Sequence, residues 1–363
     1  MRELFLLDPS VTYLNHGSFG ACPRPVFERY QAWQRELEAE PVDFIVNKLP
    51  ELLERARTEL GAYVGASADD LTFVPNATTA VNMAARALDL QPGDEVLTTD
   101  LEYGACDLTW ERTPATYVRA RVDVDDVVGS LFAHRTERTR AVFVSHITSR
   151  TALLLPVEEI VARARAEGLV AIVDGAHAPG HVALDLDALG ADFYAGNCHK
   201  WLHAPKGSGF LHVRPEHQER VDAPIVSWGY GEPATFRSRT ERQGTRDSAA
   251  YLAVPDAIAF TREHADHDRC VALAREARAE LCALLGTEPI APGEMIRQMA
   301  SVRLPAPDED LSRRLFDEHR IEIPVEGDLL RVSVACYTTR EDVERLLDVL
   351  PRTLSRRRSP TAR

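Results

Sequence analysis

The sequence contains no run of about 18 apolar residues, the length a membrane-spanning helix needs. Its opening, MRELFLLDPS, lacks a basic start followed by a long apolar stretch. Neither membrane insertion nor export is expected. Cysteine is scarce: Cys22, Cys106, Cys198, Cys270, Cys282 and Cys336 are the only ones in 363 residues, and no two have CxxC spacing. A disulfide framework and a bound metal are both unexpected, and a reducing cytoplasm fits. Basic charge is in deficit, with 42 Lys and Arg against 56 Asp and Glu, and a formal net charge of −14 repels phosphate backbones and anionic lipid. Nucleic acid and membrane surfaces are therefore poor partners. The one basic cluster, Arg356 to Arg358, lies beside Pro360 without apolar periodicity and reads as a disordered tail.

What is present is a globular composition, 45% hydrophobic and 27% charged, enough for a substantial core in one large domain or a large and a small one. From about residue 71, β-rich runs alternate with helical patterns: LTFV, a helix from Thr79 to Leu90, EVLTT, then AVFVSH before PVEEIVARARAEG, then LVAIVD and DFYAG. Strands alternating with helices predict an α/β fold with a mostly parallel sheet, whose ligands sit at the carboxyl ends of the strands. After roughly residue 262 come long helices rich in Arg, Glu and Ala, then SVRL, IEIPV and LRVSV strands and two more helices, the pattern of a smaller α+β domain. The boundary falls near a helix from Ser248 to Glu263 that can run on into it.

Two groups stand where this architecture puts chemistry. LVAIVDGAH ends an apolar, β-branched run on Asp174, and twenty-six residues later DFYAGNCHKW ends the next run on Lys200. A carboxylate and an amine from neighbouring strand ends suit pyridoxal 5′-phosphate (PLP): the lysine condenses with the aldehyde, and the acid keeps the pyridine nitrogen protonated. Singly, Asp174 reads as a helix cap and Lys200 as a surface amine. The pair, with the glycine-rich APKGSGFL after it, favours the cofactor. In PNATTAVNMAARAL, Ala77, Thr78 and Thr79 stand where a helix begins, so free amides, the helix dipole and two hydroxyls favour a phosphate; a threonine N-cap is the plainer alternative.

The NATTA, DGAH, HKW and RQGTRD segments, with LNHGSFG near the start, resemble the class V aminotransferase family of fold-type I PLP enzymes, and within it the isopenicillin N epimerase-like branch, from about residue 12 to 350. The resemblance implies a large domain with a seven-stranded, mostly parallel sheet flanked by helices. It also implies residues 1–20 near the active site, 21–262 as the PLP-binding domain, 263–352 as the small domain and 353–363 as the tail. Carried over residue by residue, Lys200 is the Schiff-base lysine and Asp174 the partner of the pyridine nitrogen. His177 lies near the ring's phenolic oxygen, where Ser149 also reaches. Tyr103 stands where a family histidine stacks on the ring, keeping the stacking with less acid/base capacity. Asn197 and His199 match residues that hold the phosphate. Gly244 and Thr245 match a pair contributed by the opposing subunit, which implies a homodimer with shared active sites. Arg331 resembles the arginine that binds the substrate carboxylate through a bidentate fork, against the alternative of a strand arginine facing water. Asn15, His16 and Gly17 are placed near the substrate or, equally, in a buried turn.

The cofactor alone does not select the reaction. Family members that act as cysteine desulfurases carry a cysteine some fifteen residues before the carboxylate arginine; no cysteine lies between Cys282 and Arg331. Persulfide chemistry is disfavoured, and Cys106 and Cys198 read as small apolar residues in strand-end loops. Three reactions at the α-carbon of an amino acid stay open: epimerisation, with Lys200 on one face and Tyr103, His16 or water on the other; transamination; and β-elimination, including C–S cleavage of a cysteine conjugate. The resemblance favours epimerisation or a related specialised transformation. A PLP-fold binding protein without turnover is the alternative from another class, which the presence of both Lys200 and Asp174 opposes. In the loop SWGYGEPATFRSR, Trp228, Tyr230 and Arg237 are candidates for substrate or dimer contacts, with structural roles favoured for each.

Overall fold

A computed structural model describes residues 1–355; the arginines of the expected tail lie outside the described residues. The chain divides into two compact units, one comprising Cys22–Ser149 and Leu155–Glu263, the other Met1–Ala21, Arg150–Leu154 and the chain from His264 onward.

In the larger unit seven strands form one sheet. Their spatial order is Leu71–Val74, Gly209–Val213, Phe193–Asn197, Val170–Gly175, Thr139–Ser145, Glu95–Thr99 and Thr116–Ala120. Four of the pairings are parallel, and Gly209–Val213 runs antiparallel to both its neighbours. The connection 198–208 explains this: it contains no helix, and a parallel return needs a crossover of about a dozen residues or more. The strands 71–74, 193–197 and 209–213 are buried along their whole length, as expected where helices cover both faces.

Helix Ala77–Ala87 packs on this sheet because Ala77, Ala80, Val81, Ala84 and Ala87 fall at helical spacing and are all buried. It begins two residues earlier than the sequence pattern predicts and stops at Ala87, just before Asp89 turns to a left-handed φ of 47°. The expected helix 248–263 is interrupted. It forms as Ala249–Leu252 and Val254–His264, since Pro255 has no N–H for the carbonyl four residues back.

The smaller unit has its own core, with Leu273, Ala277 and Leu281 of helix His267–Leu285 packed with Leu315, Leu330, Val332 and Leu346. Its three-stranded antiparallel sheet runs Val325–Glu326, Leu329–Ser333, Met299–Arg303. The IEIPV strand is split: Ile321–Glu322 pairs with Thr12–Tyr13 of the N-terminal segment, while Pro324 breaks the run and offers its carbonyl to the Arg331 amide at 3.1 Å. The last described helix is Arg340–Ser355.

Candidate active site

Asp174 lies at the carboxyl end of Val170–Gly175 and is 4% exposed. The Ala176 amide donates to one carboxylate oxygen at 2.9 Å and the Cys106 thiol to the other at 3.4 Å. Burial nevertheless dominates and raises the pKa above the usual value, against the amide, the thiol and the charge of Lys200. A buried acid of this kind is completed by a cation, and the protonated nitrogen of a pyridine ring is one that fits. The next residue must be glycine, because a Cβ at Gly175 would lie 2.2 Å from the Tyr194 ring.

Lys200 follows the adjacent parallel strand, Phe193–Asn197, so the two groups do come from neighbouring strand ends. Its Nζ is 3.2 Å from Nε2 of the buried His177. Trp201 donates its indole N–H to His177 Nδ1 at 3.3 Å; an indole only donates, so the imidazole proton of neutral His177 sits on Nε2, toward the amine. Lys200 is one of only three lysines in the chain. Lys48 is spent in an exposed ion pair with Asp43 at 3.1 Å, and burial lowers the pKa of Lys206.

The start of helix Ala77–Ala87 is capped by Asn76 rather than by threonine. The Asn76 Oδ1 accepts from the Thr79 amide at 2.8 Å and from its hydroxyl at 3.1 Å. Asn197 Oδ1 accepts from the Ala77 amide at 2.8 Å. Among the described residues that leaves the amide and hydroxyl of Thr78 as donors at the positive end of the helix. Asn197 thus braces the cradle from below. His199 gives its Nδ1 proton to the Ser208 carbonyl at 2.7 Å, and burial, then the Lys200 charge, lower its pKa to about 4, so at neutral pH its Nε2 carries a lone pair. A phosphate held there would have to draw a proton onto that nitrogen.

Tyr103 occupies the N-cap of helix Gly104–Trp110 with its side chain about half exposed, open to stack on a planar ligand. Ser149 is half-buried beyond strand Thr139–Ser145. Gly244 and Thr245 are exposed between helices Phe236–Glu241 and Ala249–Leu252. In the smaller unit Arg331 is 8% exposed, which removes the water-facing alternative, and Ser18 Oγ accepts its guanidinium proton at 2.6 Å. Asn15 donates to Glu322 at 3.1 Å; His16 is fully buried, 2.9 Å from the Tyr337 hydroxyl and accepting from the Ala21 amide. These contacts tie residues 15–16 to the C-terminal part of the same unit. Tyr230 donates to Asp222 at 3.0 Å and Arg237 to Glu54 at 2.8 Å, whereas Trp228 is 90% exposed.

Sequence reasoning missed Asn76, Trp201 and the contact of Cys106 with Asp174. Asn76 was readable as a residue of N-cap type before a helix. Cys106 corrects an expectation: it lies in a helix with its thiol on Asp174, although burial raises its pKa well above the ordinary value, as it does for Cys198, so neither is a thiolate.

The match that decides the family spans residues 13–346, for the model of aminotransferase class V. The chain belongs to the class V aminotransferase family. An isopenicillin N epimerase of Amycolatopsis lactamdurans is 41% identical, over 96% of each chain. A putative L-cysteine desulfhydrase 2 of Oryza sativa subsp. japonica is 30% identical over 94% of this chain and 84% of that protein. Among solved structures, the cystine C-S lyase C-DES in complex with cysteine persulfide has a TM-score of 0.82 at 24% identity, over 94% of this chain and 97% of that one. As a class V aminotransferase the chain has the fold-type I architecture, and the expected family, branch likeness and mostly parallel sheet are borne out.

Proposed function

We propose that the chain is a PLP-dependent epimerase of an amino acid or amino-acid-like substrate. The observation that carries this is the pair Asp174 and Lys200 on adjoining strand ends, in a chain 41% identical to an isopenicillin N epimerase along nearly its whole length. Bound PLP supplies an electron sink that lets a proton leave the α-carbon. The residues divide the remaining work. With PLP bound, Asp174 would keep the ring nitrogen protonated, Thr78 and the Asn197-braced helix start would take the phosphate, and His177 Nε2–H, with Ser149, would serve the phenolic oxygen. Lys200 would hold the cofactor through its aldehyde, and its amine would carry the α-proton on its own face. Tyr103, half exposed, is the proposed group for the opposite face; the buried contacts of His16 leave it a structural role. Arg331 is the proposed anchor for the substrate carboxylate. The exposed Gly244 and Thr245, and the exposed apolar loop of Ile225, Val226 and Trp228, support a homodimer in which that pair serves the other subunit's site.

The likeness to a cysteine desulfhydrase supports C–S elimination as a second reading. Exchange in D₂O separates them. Epimerisation gives α-deuterium incorporation and inverted product without keto acid, thiol or sulfide. Release of pyruvate with thiol would move the assignment to lyase, and amino transfer to a keto acid would move it to aminotransferase.

A further inference from the structure

Beside Asp174 stands a second carboxyl that nothing in the proposed chemistry uses. Glu102 follows strand Glu95–Thr99 and immediately precedes Tyr103. Its Oε1 lies 2.5 Å from Thr99 Oγ1 and its Oε2 2.6 Å from Ser145 Oγ; both hydroxyls donate to the ionised carboxylate, and one turns to accept the proton when the carboxyl is protonated. Ser145 is the register partner of Asp174 on the neighbouring strand, so their side chains leave the sheet on the same face. The two hydroxyls therefore seat the Glu102 carboxyl on the side of the sheet where Asp174 meets Cys106. We propose that Glu102 is a positioning residue acting through Asp174: its carboxyl decides whether this pocket presents one negative charge or two to the cofactor's ring nitrogen.

The charges around it set the direction. Asp174 and, more weakly, Asp107 are the negative neighbours. Asp107 is itself engaged by the Tyr117 hydroxyl at 2.8 Å and Arg119 at 3.1 Å, and Lys200 acts on Asp174. The Cys106 thiol is neutral. Although the residue as a whole is only half-buried, desolvation of its carboxyl outweighs both hydroxyls and, with the nearby Asp174 charge, pushes its pKa up to about 8. At neutral pH Glu102 therefore keeps its proton, and the pocket would offer the ring nitrogen the Asp174 carboxyl without a second charge beside it. In mildly alkaline solution the second charge appears and tightens the hold on the ring proton, where a lone Asp174 would not change.

This inference rests on the PLP reading, and the test separates the two. The holoenzyme is titrated by cofactor absorbance and visible circular dichroism between about pH 6 and 10. The wild type is expected to show a step near pH 8. Glu102→Gln, which keeps the shape and cannot ionise, is expected to lose that step while retaining the cofactor band. Thr99→Val removes a hydroxyl that favours the ionised form and is expected to move the step upward by roughly half a unit to one unit, a shift that a merely structural role would not produce. An unchanged step in Glu102→Gln, or one that Thr99→Val leaves in place, overturns the inference. A wild type with no cofactor band overturns the PLP reading itself.

Discussion

Asp174 and Glu102 are both acids whose burial raises their proton affinity, and each should show it in a different measurement. Asp174→Asn removes the charge that holds the ring proton while leaving Lys200 able to bind the aldehyde. The variant should keep a cofactor band and lose roughly 10²-fold or more in kcat/KM; activity within a few-fold of wild type would remove Asp174 from its role. For Glu102 the relevant quantity is stability. Its folded pKa, about 8, stands above the ordinary 4.5, so the folded state holds more protons between these values. The contribution is complete below about pH 4.5 and is lost as pH rises through 8. Discounted for its partial exposure, the loss is on the order of 2 kcal/mol. Melting curves of the apoprotein from acid to mildly alkaline pH should therefore fall less for Glu102→Gln than for wild type. Parallel curves would contradict this.

At the scale of elements, the helix start at Asn76 and the loop behind Lys200 carry the site. Asn76→Ala removes the cap of helix Ala77–Ala87 and should cost about 1 kcal/mol of stability and weaken PLP binding, read by thermal melting and by cofactor titration. Gly180 has a φ of 80°, and a Cβ there would lie 2.3 Å from the Trp201 carbonyl oxygen, directly beside Lys200. Gly180→Ala should destabilise by about 2 kcal/mol or more. Equal melting temperatures for variant and wild type would show that the loop has more room than its geometry states. Much of this level was legible in the sequence. The alternation of LVAIVD and DFYAG with helical segments placed Asp174 and Lys200 on strand ends, and NATTA announced a helix start. The reversal of Gly209–Val213 was less visible, since buried strands of either direction read as continuous apolar runs. The approach of Glu102 and Cys106 to Asp174 was not legible: Ser145, which seats Glu102, and Asp174, which meets Cys106, lie 43 and 68 residues away from them, and only the sheet register brings them together.

For the whole molecule the strongest expectation is association. The exposed Thr245 and the apolar loop around Trp228 predict a dimer by sedimentation. If Thr245 serves the opposing site, mixing inactive Lys200→Ala subunits with impaired Thr245→Val subunits should restore part of the activity in heterodimers. No recovery in demonstrated heterodimers would place Thr245 in its own subunit's site. Among the described residues no helix is long and apolar enough to cross a membrane.

The cofactor assignment depends on one amine, and the scarcity of lysine makes it unusually direct to test. Borohydride reduction of the PLP-loaded enzyme fixes the cofactor to whichever lysine holds it, and peptide mapping then has only Lys48, Lys200 and Lys206 to choose among. The phosphopyridoxyl group is expected on Lys200 and is expected to be absent from Lys200→Ala. Labelling at Lys48 or Lys206, or no specific labelling of the loaded protein, would contradict it.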